Sequence, residues 1–500
     1  METTEGDVAG LDGTEGMVRV GEGAGRGSRG ARAGNPLYDH GPLRMNAAAT
    51  HLEHEDGTPF FWLADTWWMG LSDRLRWPRD FRRLAADRAS RGFTTVLIVA
   101  GLYPDMPAFD PRSRNEAGYA WQPGFDAINP AYFDAADRRI AALVDAGLVP
   151  CIVGAWGFYA DLAGTDTMLA HWRNLVARWG AYPVVWCIAG EALMAYYETD
   201  EWKGYARLGL HERMNYLPEG RCQAWSDVAR SVRATDPFSR PLTIHPTRVG
   251  RAQLDDPTLL DFEMLQTGHM GLPTLADTVD MIEQSRRSEP QLPCIVGECN
   301  YEGEGASSGP EVQRYLFWMV MLTGAFGHTY GAEGIWQVNR PQRAYGPSPH
   351  GMAYGPRSWQ EVMRQPGAAQ VGAAARFLGT LPWWRIEPHP EWVTPRHEPG
   401  NRLSAYAAGI PGELVLVFVP LQALWSLGLG NMRLGSLEQD VTYRVTFFDP
   451  VTGTTSEAAA PLQADATGVT TLPQPPLVQD WVLLVERADA DRSDGAPAAG

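Results

Sequence analysis

The chain has 500 residues, 44% of them hydrophobic, and a formal net charge of −17. That length and apolar content suffice for a large core and for two or three domains, although a single barrel can take half of it. The acidic balance argues against nucleic acid or an anionic membrane surface as partner, and no apolar run is long enough to span a bilayer.

Residues 1–35 are rich in Gly and Ala and carry no apolar segment of the kind a secretory signal needs. They read as a disordered extension, which makes a cytoplasmic location the default expectation. Residues 36–60 alternate in short segments around Glu55-Asp56-Gly57-Thr58-Pro59, and Asp-Gly is a hairpin signal, so a small β-hairpin is expected here. His51 and His54, flanked by Glu53 and Glu55, read as a solvated face. They precede the first long strand, so a metal-dependent amidohydrolase, which needs a His-x-His pair on that strand, is a poor second reading.

Eight apolar or β-branched runs then follow: 60–65, 94–101, 148–156, 184–191, 242–245, 260–266, 294–298 and 327–336. Helical patterns separate most of them, at 79–91, 132–146, 167–179, 223–235, 275–288 and 312–322. Eight strands alternating with helices match a (β/α)8 TIM barrel in count and length. A doubly wound fold would need a Gly-rich phosphate loop after its first strand, and Asp65-Thr66-Trp67-Trp68 is no such loop. A further helix is expected at 368–378.

From about residue 383 the pattern changes to short strands at 403–408, 414–420, 441–449 and 481–485, with turn chemistry at Asp449-Pro450 and Thr452-Gly453. This reads as a C-terminal β-sandwich. The expected organisation is therefore an α/β chain: an extension over 1–35, a barrel with its hairpin over 36–380, a sandwich over 381–487 and a disordered tail over 488–500. The aromatic pair Trp383-Trp384 is expected to be buried at the junction. The five cysteines, Cys151, Cys187, Cys222, Cys294 and Cys299, are odd in number, form no Cys-x-x-Cys and have no zinc spacing. They read as reduced, small hydrophobic residues.

Two apolar runs end in Gly-Glu: Val184-Val185-Trp186-Cys187-Ile188-Ala189-Gly190-Glu191 and Pro293-Cys294-Ile295-Val296-Gly297-Glu298. Each would be a strand covered on both faces, with the glycine allowing a tight turn and the carboxylate presented at the strand's C-terminal end. In a barrel that is the end where chemistry sits. One such Glu could merely cap a helix or pair with an arginine. Two in the same context are the minimum apparatus for cleaving a glycosidic bond. The other strand ends deliver Asp65, Trp156, His245, Gln266, His269, Tyr301, Tyr330 and Trp336 as candidates for sugar contacts. Asp65 closes an apolar strand, where a carboxylate is costly unless paired or used.

These motifs together resemble a known family. Asp56-Gly57-Thr58-Pro59-Phe60-Phe61-Trp62-Leu63-Ala64-Asp65-Thr66-Trp67-Trp68 resembles the N-terminal signature of the apiosidase-like glycoside hydrolases. Arg91-Gly92-Phe93-Thr94 is similar to that family's entry into the second strand, Glu298-Cys299-Asn300-Tyr301-Glu302-Gly303 to its nucleophile motif, and Tyr330-Gly331-Ala332-Glu333-Gly334-Ile335-Trp336 to its eighth strand. Pro382-Trp383-Trp384 and Phe448-Asp449-Pro450-Val451-Thr452-Gly453 resemble the β-sandwich that follows the barrel in these proteins, sometimes labelled collagen-binding. The resemblance implies a retaining, exo-type glycosidase with the acid/base, Glu191, on the fourth strand and the nucleophile, Glu298, on the seventh. It adds Trp67 to the residues expected to meet a carbohydrate substrate, and it implies neither metal nor cofactor. In the wider retaining superfamily an Asn precedes the acid/base; here that position is Gly190. The reading from a different class is a catalytically silent carbohydrate-binding or scaffold protein on the same barrel.

Overall fold

A computed structural model gives the fold and describes residues 35–205, 207, 220–305, 307–349, 354–427 and 432–488. The expected extension and tail therefore lie outside the described residues, apart from their boundary positions. Strands β1 (Leu43–Met45) and β2 (Leu52–His54) pair antiparallel. The Asp56-Gly57 turn does reverse the chain, but only onto an isolated bridge between Glu53 and Pro59, and the two strands of the hairpin are joined instead through residues 46–51. His51 and His54 are buried rather than solvated. Trp383 packs edge-on against His51, and His54 Nδ1 is 2.8 Å from the Gly41 carbonyl.

The barrel follows in chain order: β3 (Trp62–Trp67), α1 (Arg79–Ser90), β4 (Thr95–Val99), α2 (Pro130–Asp145), β5 (Val149–Trp156), α3 (Thr165–Trp179), β6 (Val185–Gly190), α4 (Arg221–Thr235), β7 (Leu242–Thr243), β8 (Glu263–Gln266), α5 (Pro273–Arg287), β9 (Cys294–Glu298), α6 (Pro310–Thr323) and β10 (Gly327–Tyr330). The eight strands form one parallel sheet in the order β7-β6-β5-β4-β3-β10-β9-β8. The ring closes between β7 and β8 without a regular ladder. There, Asp261 N donates to the Leu242 carbonyl at 2.9 Å and Thr243 Oγ1 donates to the Phe262 carbonyl at 2.9 Å. The strands are buried at every position, and mostly apolar, because side chains alternate between the barrel interior and the helical layer, and both are dry. The last strand is shorter than its apolar pattern suggests: it stops at Tyr330, and the chain turns at 333–338.

After α7 (Pro366–Gly379) the chain builds antiparallel sheets. A seven-stranded sheet contains β11 (Glu387–Pro388), β13 (Tyr406–Ile410), β14 (Leu414–Val419), β20 (Trp481–Arg487), β16 (Thr442–Phe448), β17 (Thr455–Glu457) and β18 (Leu462–Gln463). A three-stranded sheet contains β12 (Val393–Thr394), β15 (Arg433–Leu434) and β19 (Thr470–Thr471). One face of the large sheet, with Tyr406, Leu416, Phe418, Phe448 and Leu484, joins the barrel core. The other, with Val415, Val417, Phe447, Leu483 and Val485, makes a second core with the small sheet. That double covering is why 414–419 reads Leu-Val-Leu-Val-Phe-Val without a polar alternate.

The sheet docks on α6 and α7 through rings: Phe377 stacks on Phe448 at 4.4 Å, and Trp318 meets Phe448 at 5.6 Å. Trp383 is buried at this junction, whereas Trp384, expected to be buried with it, is 40% exposed. Arg314 of α6 grips Asp480 with two hydrogen bonds, 2.8 and 2.9 Å, both side chains being buried. Removing one partner strands the other charge in a dry interface. Asp480→Ala therefore lowers stability by about 3–5 kcal/mol; a urea midpoint for the full chain equal to wild type would refute this. Among the described residues no helix is long and apolar enough to cross a membrane. All five cysteines are free thiols.

Candidate active site

The two Gly-Glu segments meet at the C-terminal rim of the barrel, and the glycines work differently from the sequence expectation. Neither Gly190 nor Gly297 has a left-handed backbone; Glu191 itself does, with φ +39°. The glycines instead make room. A Cβ on Gly190 would lie 2.3 Å from the Trp156 ring, and one on Gly297 would lie 2.1 Å from Met264 Cγ. Gly190 thus lets Trp156 of β5 lie against β6, where its indole N–H donates to Glu191 Oε2 at 3.2 Å. Strand β9 carries one more residue than β8 at this point, so that Glu298, not Gly297, stands opposite Gln266. A bulge of this kind re-aims a side chain at a strand end.

Gln266 ties the two carboxylates together. Its Nε2 donates to Glu191 Oε1 at 3.1 Å and lies 3.4 Å from Glu298 Oε1. Glu298 has two further neighbours. His269 Nε2 is 3.0 Å from its Oε1, and His245 Nε2 is 2.9 Å from its Oε2. Glu304 holds the far side of His269, with Nδ1 at 2.8 Å. Burial alone would raise the pKa of Glu298, but the contacts from His245 and His269 outweigh it and hold the carboxyl well below its usual range. Glu191 goes the other way. Burial first, then the charge on Glu298, raise its pKa, and the Gln266 hydrogen bond and His245 offset this only in part. Burial works against a charge on His269, yet Glu304 and Glu298 on its two sides raise its pKa well above the usual histidine value. One carboxyl is thus poised as an anion and its neighbour as an acid, an arrangement that separates two roles by environment.

Aromatic rings wall the site. Trp68 Nε1 donates to the Tyr301 hydroxyl at 3.0 Å, and that hydroxyl faces Glu298. The Trp68 ring packs edge-on against Trp156 and His245, at 5.4 and 5.3 Å. Trp336 stacks on Tyr301 at 6.1 Å and continues to Tyr345 and Tyr354 at 5.4 and 5.0 Å. Tyr301 can stand there because residue 331 is glycine: a Cβ would lie 2.0 Å from its ring.

Of the residues singled out from sequence, Glu191, Glu298, Trp156, His245, Gln266, His269, Tyr301 and Trp336 come together. Asp65, Trp67 and Tyr330 do not. They project from β3 and β10 into the helical layer. Asp65 Oδ2 accepts from Arg88 Nε at 2.6 Å and from Trp67 Nε1 at 2.7 Å, with no exposed surface. The Tyr330 hydroxyl donates to Glu302 Oε2 at 2.5 Å, and Glu302 Oε1 accepts from the Gly367 amide at the start of α7. These groups satisfy one another and fasten the barrel wall to its helices; they have nothing left for a sugar. Sequence reasoning passed over Trp68, the next residue along, as a contact. Strand parity is the signal: Trp62, Ala64, Thr66 and Trp68 share the inward face, and Asp65 and Trp67 the outward one. Glu304, Tyr345 and Tyr354 carry no such signal, because they sit on irregular loops.

A cleft of about 420 Å³ opens at the other end of the strands, between Arg286, Pro293, Phe326 and Trp384. It holds neither carboxylate. Among the described residues no group of three or more His, Cys, Asp or Glu could hold a metal ion.

A family model described as the apiosidase-like catalytic domain matches residues 46–385. No curated protein matches the chain. A solved structure described as a glycoside hydrolase is similar with a TM-score of 0.72 at 20% identity, over 91% of this chain and 99% of that one. A glycoside hydrolase family 5 structure from Bacteroides vulgatus ATCC 8482 gives 0.73 at 21% identity, over 91% and 94%.

Proposed function

The chain belongs to the apiosidase-like family and is a glycosidase, and from that premise we propose a retaining, exo-acting hydrolase that releases a terminal sugar by double displacement, with Glu298 as nucleophile and Glu191 as acid/base. Glu298 attacks the anomeric carbon as the bond to the leaving oxygen breaks, and Glu191 gives that oxygen its proton. The product of this step is a glycosyl ester on Glu298. Glu191, now a carboxylate, takes a proton from water as the water oxygen attacks the anomeric carbon and displaces Glu298. Glu298 is again a carboxylate and Glu191 again protonated, and the sugar leaves with its original anomeric configuration.

The observation that carries this reading is the shared amide of Gln266. Its two contacts limit the nearest oxygens of Glu191 and Glu298 to at most about 6.5 Å apart, which is compatible with the about 5–5.5 Å between the carboxyl groups of retaining enzymes. Exo action is supported by the loops that crowd the site. Tyr345, after β10, reaches the Pro104 carbonyl in the loop after β4, and Tyr197, after β6, reaches the Asp105 amide.

The test is the first-formed product. A panel of 4-nitrophenyl pyranosides and furanosides identifies the sugar that is released, and proton NMR during the first turnovers reads its anomer. The expected result is the substrate's own configuration. The opposite configuration would remove Glu298 from the nucleophile's role.

A further inference from the structure

Glu304 lies in the turn that follows β9 and reaches the catalytic pair through His269. Gly303, with φ +86°, bends that turn. The turn itself fixes the carboxylate. Glu304 Oε2 accepts from the Tyr301 amide at 3.3 Å, and the Glu304 amide donates to the Tyr301 carbonyl at 3.1 Å. The same Oε2 is 2.8 Å from His269 Nδ1, and His269 Nε2 is 3.0 Å from Glu298 Oε1. The imidazole thus stands between two carboxylates, one at each ring nitrogen. An ionised carboxylate only accepts, and a neutral imidazole has a single N–H. Either neutral tautomer would set a bare ring nitrogen against a carboxylate oxygen. Both contacts are satisfied together when His269 carries a proton on each nitrogen, as a cation. Burial works against that charge, and Glu304 and Glu298 outweigh it. The titratable groups facing the ring are Glu304, Glu298 and Tyr301, whose ring is 5.0 Å away, and His245 shares Glu298 from the end of β7.

We propose that Glu304 is a positioning residue of the double displacement: it keeps His269 doubly protonated while Glu298 is an ester, so that a cation is already in place when Glu298 is expelled. The inference rests on the glycosidase reading, because it is the ester that makes the two carboxylates unequal. In the resting site His269 has an anion on each side. Formation of the ester removes the charge of Glu298, and a part-buried imidazolium facing a neutral ester alone would give up its proton. Glu304 takes no part in the bond changes and keeps its charge. In the second step the water oxygen bonds to the anomeric carbon, the water proton goes to Glu191, and the electron pair of the breaking ester bond returns to Glu298. His269 keeps both protons throughout. It meets the returning charge with an N–H already aimed at it, which is electrostatic stabilisation prepared in advance. Glu302, two residues earlier, has no such role: its carboxylate faces outward, to the Tyr330 hydroxyl and the Gly367 amide.

The test uses the full chain with Glu304→Gln, which keeps the shape and removes the charge, and with Glu304→Asp, which keeps the charge. On an aryl glycoside for which ester hydrolysis limits turnover, Glu304→Gln lowers kcat by about 10–100-fold, the worth of a hydrogen bond to a charged group. The loss in kcat/KM, which reports only steps through formation of the ester, is much smaller. The loss in kcat also deepens with pH. Removing the negative charge of Glu304 lowers the pKa of His269, so the ring gives up its proton as pH rises, and kcat gains a descending limb that the wild type lacks. Glu304→Asp abolishes that limb. A merely structural defect would instead lower kcat by one factor at every pH. The proton is also read directly, by carbon NMR of labelled histidine, with the His269 signal assigned by its absence in His269→Asn. Its titration midpoint moves to lower pH in Glu304→Gln. An unmoved midpoint, or a loss in kcat that is the same at every pH, would overturn the proposal. If the wild type hydrolyses no glycoside in the panel, the double-displacement reading fails by itself. The midpoint then still decides whether Glu304 holds the proton on His269, and an unmoved one overturns that as well.

Discussion

Glu298→Ala lowers kcat/KM on the order of 10⁴-fold or more, and does so even for aryl glycosides with good leaving groups. An activated leaving group relieves the need for a proton, but it does not supply the group that forms the ester. Nothing nearby can take over. The groups left around the vacated position, Gln266, His245 and His269, carry no carboxylate, and Glu191 is engaged with the leaving oxygen. The alanine also leaves space at the nucleophile's position. Added azide can attack from there, and the glycosyl azide formed has the inverted configuration. The measurement is steady-state hydrolysis with and without azide, and product configuration by NMR. A variant retaining a tenth of wild-type kcat/KM would sink the assignment of Glu298.

The barrel was legible because its strands are dry on both faces, so runs such as Val185–Gly190 and Cys294–Glu298 stand out from their surroundings. The C-terminal region was only half legible. Its long strands show the same double burial, but β11, β12, β15, β18 and β19 are two residues each and β17, Thr455–Glu457, is exposed at every position. No periodicity fits in so short a run; pairing to a neighbour makes these strands. The site shows a similar division. Both carboxylates and most of their partners sit at strand ends, where motif and position agree. Asp65 and Trp67 were misplaced by the parity of one strand, which a pattern apolar on both faces conceals. The partner of Asp65, Arg88, is 23 positions away and faces it only once α1 has packed. Glu304, Tyr345 and Tyr354 are brought in by loops whose course depends on tertiary contacts, so composition alone did not mark them.

Glu191→Ala should fail in a different way, and the difference identifies its role. With a poor leaving group, such as a second sugar, the first step needs the proton, and kcat/KM falls by about 10²–10⁴-fold. With an activated aryl leaving group kcat/KM, which reports only steps through formation of the ester, is largely kept. The second step then limits kcat, because no base activates water, and the ester accumulates. Azide needs no base. It raises kcat by attacking the ester, and since that is the second of two displacements the glycosyl azide keeps the substrate's configuration. The pH profile follows the same logic. In the wild type the ascending limb belongs to ionisation of Glu298, which His245 and His269 hold low, and the descending limb to loss of the proton from Glu191, which burial and Glu298 hold high. Activity is therefore lost as pH rises through the raised pKa of Glu191. In Glu191→Ala with an activated substrate that descending limb has no group to produce it and disappears. Persistence of the limb would assign it elsewhere. An inverted azide from Glu191→Ala, with a retained one from Glu298→Ala, would mean that the two carboxylates have exchanged roles.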